Sequence, residues 1–203
     1  MLAIITGDII NSENYTSSEW MDILKKYLSR LGESPAHWEI YRGDEFQLRI
    51  KPEQALRTAI HIKAIIKSIK GLDVRIGIGI GTETFTGTRV SESNGTAHQR
   101  SGRTFETLKK QKLNLAIATA NKVYDRRMNL LLKLALDFMD DWSQVSAEVV
   151  ALSLEKPNAL QQQVSEQLKI QQSAVSQRQK RARLDLVLEL LDYYTQTLKE
   201  ISE

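Results

Sequence analysis

Several residue types and patterns are scarce or missing in this sequence, and each absence excludes a class of structure. There is no cysteine, which excludes disulfides and thiolate metal sites and is typical of a reducing compartment. The amino terminus has no basic segment before its short apolar run, so we expect no signal peptide and a cytoplasmic protein. Nowhere do about 18 uncharged apolar residues follow one another, so we expect no membrane helix.

What is present is the composition of an ordered globular chain. Apolar residues make up 41% and charged residues 26% of the 203 positions, which argues against disorder. The net charge of +3 says little about a nucleic-acid partner, so the distribution of the charges along the chain matters more than their sum.

Hydrophobic periodicity divides the chain into two predicted domains. Residues 1–119 alternate between strand-like and helix-like patterns in the order β-α-β-β-α-β, followed by one more helix and one more strand. This order predicts an α+β protein with a ferredoxin-like βαββαβ domain. Residues 120–203 show only helical periodicity and are predicted to form an all-α domain. The long helix predicted for residues 121–142 would couple the halves, and Trp142 at its end could contact either the following helices or a dimer partner.

Residues 158–184 have the pattern of a helix-turn-helix. Such a motif needs apolar residues where its two helices touch, joined by a tight turn of three or four residues. The residues predicted to make that contact are Leu160, Val164, Leu168, Ile170, Ala174 and Val175. The turn position that is commonly glycine is Lys169, which would have to adopt a left-handed backbone conformation.

The second predicted helix of this motif is basic and polar on its outward side. Between residues 169 and 183 there are five basic residues and no acidic one, which is the charge pattern that phosphate binding requires. We therefore expect double-stranded DNA as the partner; the alternative is a helical hairpin with a solvated basic face. The predicted DNA-contacting residues are Gln171, Gln172, Ser173, Ser176, Gln177, Arg178, Lys180 and Arg181.

Two acidic positions in the first domain predict a cation site. Asp8 ends the first strand and Asp44 lies in the hairpin between strands two and three. The two aspartates meet if the first strand lies at the centre of the sheet. Two carboxylates there could hold Mg²⁺ with a nucleotide, and Gly7 and Gly43 would let phosphates approach the backbone. Alternatively, the two aspartates only stabilise their turns through hydrogen bonds to the backbone.

A second glycine pattern also allows two interpretations. Glycines alternate with isoleucines in the strand around Gly77 and Gly79. They indicate either close packing of a helix against the strand or close approach of a phosphate.

The order of these motifs resembles the SatD family of bacterial proteins, which are similar to nucleotide-cyclase palm domains. The resemblance is carried by Thr6-Gly7-Asp8-Ile9, Arg42-Gly43-Asp44-Glu45-Phe46 and Val74-Arg75-Ile76-Gly77, together with the helix-turn-helix. It implies that Asp8 and Asp44 are metal ligands. The nucleotide-binding residues that it implies are Gly7, the backbone of Ile9, Gly43, Glu45 and Arg103. The asparagine and arginine that cyclases use for catalysis have no match at Gln99 and Arg103, so no catalytic residue is assigned.

Together these patterns predict a DNA-binding transcriptional regulator that acts as a homodimer. Its cyclase-like domain would sense a ligand, such as a nucleotide, or mediate dimerisation. The alternative is a Mg²⁺-dependent nucleotidyl cyclase or a related phosphoryl-transfer enzyme.

Overall fold

In a computed structural model, which describes residues 1–201, strands and helices alternate through residue 118 and helices follow. The strands are Leu2–Ile10 (β1), Trp38–Tyr41 (β2), Glu45–Ile50 (β3), Asp73–Gly81 (β4) and Leu115–Ala118 (β5). The helices are Ser17–Leu28 (α1), Pro52–Lys67 (α2), Thr96–Gln111 (α3), Lys122–Met139 (α4), Gln144–Glu155 (α5), Gln161–Leu168 (α6), Gln172–Ala182 (α7) and Leu184–Thr197 (α8). Short 3-10 turns cover Ser12–Asn14, Val90–Glu92 and Leu198–Ile201.

Local sequence explains where the long helices begin. Pro52 occupies the first position of α2, where its fixed φ suits a helix and its missing N–H needs no partner. Asn121 precedes α4, and its side-chain oxygen accepts hydrogen bonds from the N–H groups of Val123 and Tyr124, both at 3.0 Å. The predicted long helix is therefore confirmed from Lys122 to Met139, whereas Trp142 lies beyond its end.

The strands form one mixed five-stranded sheet in the order β2-β3-β1-β4-β5. Strands β4 and β5 run parallel, whereas β1 lies between β3 and β4 and is antiparallel to both. In this register Asp8 on β1 stands opposite Glu45 on β3 and Arg75 on β4. The protein is thus an α+β protein, and its central strand carries the predicted acidic residue.

The two faces of β4 are packed in different ways. Its aliphatic side chains, including Ile76 and Ile78, belong to the main hydrophobic core together with α2. Its glycines face α3: a Cβ atom added to Gly77 would lie 2.7 Å from the backbone nitrogen of Phe105 and 2.9 Å from the carbonyl oxygen of Ser101. Of the two interpretations of the glycine pattern, close helix packing is the one that the structure shows.

The two predicted domains share this core. One cluster of buried apolar residues contains side chains from β1, α2 and β4 and also from α4, α5 and α8. The hydroxyl of Tyr194 on α8 donates a 2.6 Å hydrogen bond to the carbonyl oxygen of Pro52 on α2. The indole of Trp142 is buried and donates to the carbonyl oxygen of Ala182 at 2.9 Å, so Trp142 contacts the last helices of its own chain.

No helix within residues 1–201 combines the length and the apolar character that crossing a bilayer requires.

Replacing Gly77 by alanine is expected to destabilise the protein by about 1–3 kcal/mol, because the added methyl group must push α3 away from β4. Urea unfolding followed by circular dichroism would measure the change. The matched control is Gly102→Ala within α3, where a Cβ atom meets no neighbouring atom within 4 Å. That variant should gain about 0.5–1 kcal/mol from helix propensity. Equal effects of the two variants would contradict the packing described here.

Candidate functional site

The predicted acidic residues do come together at one edge of the sheet. The hairpin between β2 and β3 reverses through Arg42 and Gly43, which both have positive φ (51° and 92°). Glycine suits this conformation, and the turn brings Asp44 next to the end of β1. There the N–H of Ile9 donates to the carbonyl oxygen of Asp44 at 3.3 Å. We call Asp8, Asp44 and Glu45 the acidic cluster.

Each carboxylate of the acidic cluster already has a partner within the chain. The guanidinium of Arg75 on β4 donates from Nη1 to Asp8 Oδ2 at 3.1 Å. The ammonium of Lys109 on α3 donates to Glu45 Oε1 at 3.0 Å. The hydroxyl of Ser12 donates to Asp44 Oδ2 at 2.7 Å. The cluster is thus held by two cations and one hydroxyl.

The environment of Asp8 is partly desolvated. Burial raises the pKa of its carboxyl group above the usual range, and the nearby charges of Arg75 and Lys109 oppose that rise. Its second oxygen, Oδ1, is buried and has no hydrogen-bond partner in the described structure. A buried acceptor without a partner is uncommon, so Asp8 Oδ1 is a buried oxygen of the cluster that could still accept a hydrogen bond.

These residues do not fit a magnesium ion in the arrangement that the structure shows. Among residues 1–201, no group of three His, Cys, Asp or Glu side chains is placed to hold a metal ion. Mg²⁺ prefers octahedral coordination by oxygen atoms. Here two cationic side chains, Arg75 and Lys109, already pair with Asp8 and Glu45 and supply no oxygen ligand. Magnesium binding therefore stays a prediction, and this geometry argues against it.

The structure places the other predicted nucleotide-binding residues in different surroundings. A Cβ atom on Gly7 would meet the ring of Phe46 at 2.7 Å, so core packing alone accounts for that glycine. Gly43 has open space around it. Arg103 lies on the side of α3 that lines a cleft with Asn129 and Lys133, away from the acidic cluster. The structure therefore brings Asp8, Asp44 and Glu45 together but does not bring Arg103 to them.

Sequence reasoning missed the two cations of the cluster. Strand alternation places Arg75 on the same face of β4 as Gly77, and this pattern could have indicated that Arg75 points toward the face that Asp8 occupies. No comparable pattern identifies Lys109, because only the packing of α3 across β4 brings it to Glu45.

The second candidate site is the helical pair α6–α7, whose helices are joined by residues 169–171. Val164 on α6 and Val175 on α7 are buried together with Leu152 of α5 in a small separate core. Leu168, Ile170 and Ala159 pack against this core. The predicted contact of Leu160 is wrong: its side chain is 69% exposed, because Leu160 precedes the first turn of α6 as its N-cap residue.

The tight connection depends on Lys169. Its backbone is left-handed, with φ 53° and ψ 44°, which is the conformation predicted for this turn position. The N–H of Ile170 donates to the carbonyl oxygen of Ser165 at 3.0 Å, which satisfies a carbonyl group at the end of α6. A lysine therefore takes the place that glycine usually fills.

The predicted DNA-contacting residues form an exposed face at α7, with the exception of Arg178. The exposed residues are Gln171, Gln172, Ser173, Ser176, Gln177, Lys180 and Arg181. Arg178 differs, because its side chain is only 21% exposed and its Nη1 lies 3.5 Å from Glu148 Oε2 on α5. The exposed positive charge at this surface comes from Lys169, Lys180, Arg181 and Arg183.

These features define an α+β protein with a five-stranded mixed sheet, an acidic cluster at one sheet edge and a helical C-terminal part. The chain belongs to the SatD family, whose family model matches residues 1–193. No curated protein matches the chain.

Adding millimolar Mg²⁺ alone is expected to leave the melting temperature of the protein unchanged, because Arg75 and Lys109 already neutralise Asp8 and Glu45. Differential scanning fluorimetry would test this, since a ligand that binds only the folded state raises its stability. Asp8→Asn serves as the control. A Mg²⁺-dependent rise in the wild type that disappears in Asp8→Asn would show that the carboxylates rearrange around a metal.

Substituting Lys169 by glycine is expected to stabilise the protein by about 0.5–1 kcal/mol. The left-handed conformation costs a residue with a Cβ atom about 1–2 kcal/mol, whereas glycine loses about 0.5–1 kcal/mol through its greater freedom in the unfolded state. Urea unfolding without DNA measures the change. In the interior of α6, Gln162→Gly should instead cost about 1 kcal/mol. A loss of stability in Lys169→Gly would contradict the left-handed turn.

Proposed function

We propose that this protein is a DNA-binding transcriptional regulator in which α6 and α7 form a helix-turn-helix and α7 enters the major groove. The observation that carries the proposal is the exposed face of α7, where small polar side chains are combined with basic ones. In helix-turn-helix proteins, the N-terminal residues of the second helix contact base edges. In this chain those residues are glutamines and a serine, which can both donate and accept hydrogen bonds.

The charges around α7 support the same proposal. Lys180 and Arg181 lie at the C-terminal end of α7, and Lys169 lies in the turn before it, so basic groups flank the polar residues on both sides. Basic side chains placed in this way would contact phosphates on either side of the groove and fix the register of the helix on the duplex.

The packing beneath α7 supports it as well. A recognition helix must be held firmly by its neighbours, and α7 contacts α5 through Val175 and Leu152, while its last carbonyl group accepts from Trp142. The buried contacts use one side of α7, so the opposite side is left open to a partner.

For the N-terminal domain we propose a ligand-sensing role on a ferredoxin-like, nucleotide-cyclase-type fold. The order β2-β3-β1-β4 with antiparallel neighbours supports that fold, with α3 and β5 as an extension. A polar cleft of about 620 Å³ lies beside the acidic cluster and is lined by residues that include Glu39, Tyr41 and Arg89. Small-molecule sites commonly have volumes of about 300–1,000 Å³.

Replacing Lys180 and Arg181 together by alanine is expected to weaken binding to duplex DNA by at least about tenfold, or about 1.4 kcal/mol. Fluorescence anisotropy with sheared genomic DNA would measure the affinity across a series of salt concentrations. Losing two phosphate contacts should also make the dependence of log K on log salt less steep by about 1.8, at about 0.9 for each contact.

The control is Arg178→Ala, which removes one positive charge from the same helix. Because the guanidinium of Arg178 is turned toward Glu148, this variant should retain close to wild-type affinity. Equal losses in the two variants, or no DNA binding by the wild type, would overturn the proposed function.

A further inference from the structure

The outward side of α4 exposes an unusual set of apolar side chains. Val123, Leu130 and Leu134 are 63%, 60% and 63% exposed. Single exposed apolar residues are common on protein surfaces, but several on one side of a helix are typical of an interaction surface. The residues that share this side of α4 are Val123, Arg127, Leu130, Leu134 and Asp137, and we call them the α4 stripe.

The spacing of the α4 stripe is that of a coiled-coil seam. Its members follow one another at intervals of alternately four and three residues, which is the spacing of the a and d positions of a heptad. This repeat keeps all five residues along one line of the helix. The α4 stripe can therefore pack against one partner helix over most of its length.

The charges of the α4 stripe are arranged symmetrically. Leu130 and Leu134 lie two residues on either side of position 132, and Arg127 and Asp137 lie five residues on either side of it. If two copies of α4 packed antiparallel about a two-fold axis at position 132, each Leu130 would meet the partner's Leu134. Each Arg127 would then meet the partner's Asp137.

A parallel arrangement would place like charges together. Arg127 would face a second Arg127 and Asp137 a second Asp137, which is unfavourable at an interface. The charge pattern of the α4 stripe therefore fits a second copy of this chain in the antiparallel orientation.

The bonding of the two charged residues within one chain agrees with this arrangement. Asp137 is exposed and makes no hydrogen bond or ion pair among the described residues. Arg127 pairs with Glu200 and lies near the ring of Tyr193, so its guanidinium is held over the same surface. A two-fold partner would supply the counter-charge that Asp137 lacks among residues 1–201.

A groove next to the α4 stripe extends the apolar surface. It has a volume of about 630 Å³ and lies between α4 and α8, where Phe138 and Leu134 face Leu186 and Tyr193. A stable interface buries about 800 Å² on each partner. An 18-residue helix is about 27 Å long, so the groove adds contact area that a single pair of helices would not supply.

We propose that the α4 stripe and its groove are the homodimer interface, with two α4 helices packed antiparallel and Arg127 of each copy paired with Asp137 of the other. The proposed function favours a dimer, because helix-turn-helix proteins usually bind two half-sites. The inference rests on that function for its biological purpose, but its test needs no DNA.

The test uses two charge reversals, Arg127→Asp and Asp137→Arg, and measures mass by sedimentation equilibrium. The wild type should have twice the 23.1 kDa of one chain. Each reversal alone creates two like-charge pairs, so each variant should sediment at half the wild-type mass. An equimolar mixture of the two variants should return to the dimer mass, because every pair in the heterodimer is again of opposite sign.

The mixture also controls for folding, since a misfolded variant could not form the heterodimer. Lys25→Asp, on the exposed side of α1, is the matched charge reversal away from the α4 stripe and should remain dimeric. A monomeric wild type would overturn the proposal and leave the α4 stripe to a different protein. The proposal would also be overturned if either charge-reversal variant alone remained dimeric, or if the mixture of the two variants stayed monomeric.

The outcomes for the two proposals can be separated. A charge-dependent dimer that fails to bind DNA would support the interface and overturn the proposed function. DNA binding by a monomer that is unaffected by either reversal would support the proposed function and overturn the interface.

Discussion

The arrangement of the helices on the sheet depends on one buried cation. The ammonium of Lys63 on α2 is 2% exposed and lies 2.7 Å from Asp73 Oδ1 at the start of β4. The same ammonium forms an ion pair with Asp140 Oδ1 at the end of α4, at a distance of 2.6 Å. Removing one partner of such a group leaves an uncompensated buried charge and costs about 3–5 kcal/mol. Lys63 therefore ties the sheet, the helix beneath it and the start of the C-terminal helices together.

This contact explains why the two halves that the sequence predicts share one hydrophobic core. Trp142, two residues after Asp140, donates to the end of α7, and α5 then packs along α2. The position of α7 is consequently fixed by the same elements that build the sheet. A ligand that shifted α2 against the sheet would move α5 and α7 as well, which gives the proposed sensing role a physical route.

Patterns within single elements were predictable, and contacts between elements were not. The ferredoxin-like strand order predicted the meeting of Asp8 and Asp44, and the helix-turn-helix pattern predicted the left-handed turn at Lys169. The pairing of Lys109 with Glu45 could not be predicted, because it depends on how α3 crosses the sheet. For the same reason helical spacing placed Arg178 on the DNA-facing side, whereas Glu148 of α5 draws it toward the protein.

The central claim is that the open face of α7 meets DNA, and hydrogen–deuterium exchange with and without duplex DNA tests it most directly. Backbone amides in contact with a ligand or stabilised by it exchange more slowly. The account predicts that DNA slows exchange in peptides covering residues 169–183 and leaves the edge strand β2 unchanged. Protection confined to the sheet, or unchanged exchange across residues 169–183 at saturating DNA, would contradict it.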